Sequence, residues 1–109
     1  MATPARRRDD TDLYPGFIRL HVLHHAAHEP VFGHWMIEEL ARHGYRLSPG
    51  TLYPVLHGLE AKRYLRSALV RAPDGRERRV YRITAEGRRA LKAAKQKVRE
   101  LFGELFEDD

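Results

Sequence analysis

Apolar residues recur first at helical spacing and then, past residue 63, in short β-prone runs. Leu13, Phe17, Leu20, Leu23 and Ala27 follow one another at intervals of three and four, which predicts a helix from Leu13 to about His28. Glu29-Pro30 ends it, because the residue before a proline is driven out of the helical region. Met36, Ile37, Leu40 and Ala41 predict a second helix over about Phe32 to His43, with Gly44 placed to close it in a left-handed conformation. Leu52, Val55, Leu56 and Leu59 are the apolar stripe of a third helix, 49–63. Only Gly44 to Leu47 separate the second from the third, the short loop that a helix-turn-helix requires.

The period then changes. Tyr64 to Arg71 (YLRSALVR) and Glu77 to Thr84 (ERRVYRIT) hold β-branched and aromatic residues, and Ala72-Pro73-Asp74-Gly75-Arg76 between them has turn chemistry, so the pair reads as an antiparallel hairpin. Alternation sets Arg78 and Arg82 on the side of Val80, opposite Arg79, Tyr81 and Ile83, but is too irregular to say which face is buried. Thr84-Ala85-Glu86 supplies a hydroxyl cap and a first-turn acid for a last helix that runs to about Phe106. The expected fold class is mainly α with a small β-hairpin (α+β), a winged helix-turn-helix with a C-terminal dimerisation helix. Three segments follow: 1–12 a polar, disordered arm, 13–84 the winged helix-turn-helix DNA-binding domain, and 85–109 the dimerisation helix with an acidic tail.

Composition narrows the function. The 109 residues contain no cysteine, so a disulfide framework, a thiolate metal site and a cysteine nucleophile are excluded. No run of 18 apolar residues and no leader-like stretch occurs, and a soluble, cytoplasmic protein without membrane association is expected. The net charge of +5 hides a segregation: residues 42–99 hold 16 of the 20 Lys and Arg but only Glu60, Asp74, Glu77 and Glu86 among the acids. A basic block of this kind is the electrostatic footprint of a nucleic-acid binder, here double-stranded DNA. An enzyme is disfavoured, since G-x-S-x-G, a phosphate loop and H-E-x-x-H are all missing.

SPGTLYPVLHGLE, Ser48 to Glu60, is an unusual helix, with two prolines and two glycines in its length. Ser48 suits the N-cap and Pro49 the first helical position, where a missing N–H is harmless. Pro54 cannot donate to the carbonyl of Gly50, so either the first turn is loosened or the regular helix starts nearer Thr51. Free amides, a favourable dipole and the hydroxyls of Ser48, Thr51 and Tyr53 would make this end an anion site. Opposite the apolar stripe lie Tyr53, His57 and Gly58. The residues read as DNA contacts are Ser48, Gly50, Thr51, Tyr53, His57 and Arg63, together with Arg76 and Arg78 in a wing over 71–79. The alternative is that SPG is only a helix start and the wing arginines a solvated face.

LSPGTLYPVLHGLE, with RRVYRITAEGRRAL downstream, resembles the PadR family of bacterial transcriptional regulators over about Leu20 to Leu91. The resemblance implies a winged-helix repressor that acts as a homodimer through its C-terminal helix and is released by a small-molecule effector; the two-fold symmetry of such a dimer predicts a pseudo-palindromic operator, and no resident cofactor is expected. The chain departs from the usual pattern at Gly58, where a basic residue is common, at Arg63, where a glycine ends the helix, and at Gly33-His34 in place of Gly-Tyr.

The last helix carries Leu91, Ala94, Val98, Leu101 and Leu105 at alternating three- and four-residue spacing, with Phe102 beside them, a stripe that needs covering. With Leu13 and Phe17 these are the expected homodimer contacts, and two-fold symmetry would set the recognition helices about one DNA turn apart. His21, His24, His25 and His28 lie at i, i+3, i+4 and i+7 on one face of the first helix. Such a set could bind a divalent metal effector or respond to pH, or could be polar residues beside the dimer seam. Trp35 could stack an aromatic effector or belong to the core. The remaining alternative is a winged-helix protein-interaction module without DNA binding.

Overall fold

Residues 11–107 are described by the structure, a computed structural model. The expected N-terminal arm lies outside the described residues except for Thr11 and Asp12, which form a short 3₁₀ turn with Leu13; the last two acids of the tail also lie outside. The order is α1 (Tyr14–His28), β1 (Val31–Phe32), α2 (Gly33–Arg42), α3 (Pro49–Ala61), β2 (Leu65–Arg71), β3 (Glu77–Ile83) and α4 (Ala85–Phe106).

The four helices fall where the apolar periods set them, but the sheet has one strand more than the hairpin. β1 pairs antiparallel with β3, Val31 opposite Tyr81 and Phe32 opposite Val80, giving the order β1-β3-β2. Phe32 was expected to begin α2; it is extended at φ −103°, ψ 148°, and the helix starts at Gly33. Two residues are too few to show a period. The added strand makes β3 central, and the adjacent Val80 and Tyr81, on opposite faces, are both buried, Tyr81 within the core cluster.

Val22, Met36, Leu40, Leu52, Leu56, Leu65, Val31 and Tyr81 fill the core between the three helices and the base of the sheet. In α1 the buried face is Ile18, Val22, Leu23 and Ala26, whereas Leu13 and Phe17 are exposed. The stripe read from Leu13 to Ala27 thus merges two faces, one toward the core and one running alongside α4, which packs on α1.

Helices α2 and α3 end in the same way. At α2 the amide of Gly44 donates to the carbonyl of Ala41 and that of Tyr45 to Leu40, with Gly44 at φ 92°. At α3 the amide of Arg63 donates to Glu60 and that of Tyr64 to Leu59, with Arg63 at φ 68°. Both are Schellman closures, one with glycine and one with arginine in the left-handed position. Thr84 caps α4 as expected, accepting from the Gly87 amide at 2.9 Å, and its hydroxyl donates to the Arg63 carbonyl at 2.6 Å. Gly87 sits against the Tyr64 carbonyl, where any Cβ would clash with backbone.

Beyond Ala94 every residue of α4 except Gly103 is exposed, although Val98 and Phe102 still border a groove against α1. The radius of gyration of the molecule, 16.2 Å, exceeds the roughly 13 Å of a compact chain of this length. Val98, Leu101, Phe102, Leu105 and Phe106 are exposed along this half of α4, as are Leu13 and Phe17 on α1.

Candidate nucleic-acid interface

The stripe Leu52, Leu56 and Leu59 anchors α3 in the core and turns Thr51, His57 and Gly58 outward. Two expectations about its start need correction. Ser48 stands at the N-cap, but its side chain caps no amide; its Oγ lies 3.4 Å from the Thr51 hydroxyl. The helix also runs from Pro49 through Pro54 without a delayed start, because the amides of Thr51 and Leu52 both reach the Ser48 carbonyl, at 3.0 and 2.9 Å. The first turn therefore offers fewer free donors than the sequence implied: Pro49 has none and Thr51 is engaged, leaving Gly50 among the described residues. In exchange the Ser48 and Thr51 hydroxyls are exposed and not tied to helix amides.

Tyr53 is half-buried, its ring laid over Gly33 at the start of α2 with no space for a side chain between them. Its other edge borders a groove of about 470 Å³ lined by Phe32, His34, Arg76, Glu77, Arg78 and Arg79. The fold thus brings Tyr53 together with the two wing arginines, and adds His34 and Arg79, which the sequence reading missed. No local signal could have placed them, since Gly33–Tyr53 packing and β1–β3 pairing create the groove.

The wing turns through Pro73-Asp74-Gly75 with Gly75 at φ 88°. Asp74 organises it, accepting from the Arg76 amide at 3.0 Å and lying 3.3 Å from the Arg76 and 3.7 Å from the Arg78 guanidinium. The Arg76 amide, followed by the two side chains, holds the Asp74 carboxyl below its ordinary range. Arg79 is committed elsewhere, donating to the Ser67 hydroxyl at 3.0 Å, which in turn donates to Glu60 at 2.7 Å.

Arg63 does not join this group. It closes the far end of α3, about 20 Å from Ser48 at 1.5 Å per residue, where it lines a separate groove with Arg66 and Arg89. Trp35 packs against the core and meets the His25 ring edge-on at 5.4 Å. It is absent from the larger groove of about 620 Å³ between α1 and α4, which is lined by Phe17, Leu20, His24, Tyr45, Val98 and Phe102 among others.

The four-histidine face of α1 divides. His24 and His28 pair with each other, ring centroids 4.7 Å apart, and the His28 ring contacts the His24 carbonyl at 2.9 Å. His21 and His25 instead face the end of α2, where His43 and Glu39 come against them. Burial, then the neighbouring His43, His25 and His24, holds His21 below its ordinary pKa; burial does the same to His25 against the opposing pull of Glu39. His24 is also lowered, first by burial and then by His28 and Lys95.

A helix-turn-helix with a basic wing beside its second helix defines the class: a winged helix-turn-helix of the kind found in transcriptional regulators. The sequence model of the transcriptional regulator PadR-like family matches residues 22–93, and the chain belongs to that family. It is 56% identical over 89 residues to transcriptional regulator Rv3488 of Mycobacterium tuberculosis, covering 82% of each chain. Among solved structures it is similar to a PadR family transcriptional regulator from Eggerthella lenta, with TM-score 0.79 and 29% identity over 96% of this chain and 95% of that one. It is also similar to a PadR-like transcriptional regulator from Bacillus cereus, with TM-score 0.76 and 24% identity over 90% and 99%, a likeness of fold. The family and these relatives are transcriptional regulators, not enzymes.

Proposed function

We propose that the protein is a cytoplasmic repressor that binds a pseudo-palindromic operator as a homodimer, with α3 in the major groove and the wing on the adjacent backbone. The observation that carries this reading is that Tyr53 of α3 borders the same groove as Arg76 and Arg78 of the wing, with the exposed His57 one turn further along α3 and the Ser48 and Thr51 hydroxyls exposed at its start. Hydroxyls and arginines of this kind fix register through phosphates, and His57 is the side chain best placed to meet base edges. Arg63, at the opposite end of the helix, is not assigned to this face.

The homodimer reading rests on the uncovered stripe of α4. In water a helix with that stripe requires a partner surface, and a second copy related by a two-fold axis supplies one. The groove between α1 and α4 lies beside that seam and is where a small apolar effector would act on the dimer.

The test is a gel-shift titration of DNA from upstream of the protein's own gene, at two salt concentrations, against random competitor. Specific binding that weakens steeply with salt, and weakens further in Arg76→Ala/Arg78→Ala, is expected. Equal affinity for random duplex ends the self-regulation reading, and failure to bind any duplex ends the DNA-binding one.

A further inference from the structure

We propose that His21, His25 and His43, with Glu39 beside them, form a binding site for a divalent transition-metal cation of the zinc type. One potential ligand nitrogen from each of the three imidazoles lies within 4.8 Å of the other two. Zinc–nitrogen bonds of about 2.0–2.1 Å in a tetrahedron set ligand atoms roughly 3.3 Å apart, so small side-chain rotations close the set. His21 and His25 are one helical turn apart on α1 and project from one face. His43 is the residue on which α2 closes, and the hydrogen-bonded Gly44 and Tyr45 amides fix the backbone there.

Chemistry favours a cation over a purely polar cluster. The His25 Nε2 atom is fully shielded from solvent and has no hydrogen-bond partner among the described residues; the nearest Glu39 oxygen is 3.5 Å away. A buried ring nitrogen in that state is costly, and a metal ion would satisfy it. Glu39 Oε2 is 3.1 Å from His43 Nε2, and its other oxygen takes a 2.6 Å bond from Arg42. The carboxylate is thus held against two of the three imidazoles and can supply the anionic fourth ligand. Three imidazoles and one carboxylate suit zinc and its borderline neighbours rather than calcium or magnesium.

The site joins α1, which borders the uncovered apolar face, to His43 at the end of α2, six residues before α3 begins. An ion there would clamp the helix-turn-helix to the helix that flanks α4. His24 and His28, the other half of the histidine face, are outside the set.

The test uses the full chain freed of metal and zinc alone as the probe, followed by calorimetry. One zinc per chain is expected. His25→Ala and His43→Ala should weaken it at least tenfold and Glu39→Gln by about tenfold, the usual scale for ligand and supporting groups. His24→Ala/His28→Ala should leave it unchanged. Because His43 is exposed, its replacement tests the site without disturbing the core, and melting in chelator confirms that each variant is folded. Cobalt(II) should give the intense visible absorption of a four-coordinate site. Zinc binding that survives in the folded His43→Ala variant, that is lost equally in His24→Ala/His28→Ala, or that gives only the weak spectrum of octahedral cobalt overturns the proposal. None of these readouts involves DNA, so failure here is separable from failure of the operator-binding reading.

Discussion

Replacing Arg63 by glycine should stabilise the protein, although it removes a long side chain and adds a flexible residue. Arg63 holds φ 68°, where a Cβ approaches the following carbonyl and costs about 1–2 kcal/mol. Its amide and carbonyl bonds, to Glu60 and from Thr84, belong to the backbone and survive the change. Among the described residues its guanidinium makes no ion pair, so little is lost with it. Against the relief stands the greater freedom of glycine in the unfolded chain, about 0.5–1 kcal/mol. The net gain is about 0.5–1 kcal/mol, and since 1 kcal/mol moves the midpoint of a domain near this size by roughly 4–8 °C, Arg63→Gly should melt about 2–8 °C higher. Thermal unfolding by circular dichroism at fixed protein concentration measures this. Gly44→Ala provides the internal comparison: it places a Cβ at φ 92° in the matching closure of α2 and should melt lower. An Arg63→Gly variant that melts at or below the parent, while Gly44→Ala behaves as stated, would refute the strain argument and show that the arginine side chain stabilises the closure.

Other substitutions probe separate parts of the structure. Tyr81→Phe removes a hydroxyl that is buried without a partner among the described residues, so it should be neutral or stabilising by about 1 kcal/mol in denaturant melts; a clear loss would reveal a hidden partner. Gly58→Arg fills open space on the exposed face of α3 and should raise stability by about 0.7 kcal/mol through helix propensity. The same variant should tighten operator binding and steepen its salt dependence by about 0.9 in log–log slope, which gel shifts at several salt concentrations will measure. Gly87→Ala drives a Cβ into the Tyr64 carbonyl and should cost about 1–3 kcal/mol, detectable as a lowered melting midpoint. Leu101→Glu/Leu105→Glu, on the exposed stripe of α4, should leave helix content intact and shift the mass in analytical ultracentrifugation to that of a monomer.

What the sequence disclosed depended on whether the cause was local. Helices announce themselves by period, so α1 to α4 were legible, and so were closures with their own chemistry: Gly44, the Thr84 cap and the Gly75 turn. Arg63 was noted as a departure, yet its left-handed backbone follows from the Tyr64–Leu59 and Arg63–Glu60 bonds rather than from anything in its side chain. β1 was missed because two residues between Pro30 and a helix acquire meaning only when β3 lies beside them. The same holds for the sites. Hydroxyls and arginines could be counted, but the wall that His34 and Gly33 add to the Tyr53 groove is tertiary. The histidine face was visible as one stripe of four, and only the return of α2 divides it and brings in His43 from 18 residues beyond His25.

The junction at Thr84 and Gly87 gives the last helix a mechanical role. The end of α3, the end of β3 and the start of α4 meet at the carbonyls of Arg63 and Tyr64, where hydrogen bonds and the missing Cβ leave no slack. A 22-residue helix leaving such a fixed point is a lever about 33 Å long. Tilting it by 5° displaces its far end by roughly 3 Å, a sizeable part of one base-pair rise, so the angle at which two copies clasp would tune the span between their reading heads as a pair of calipers does.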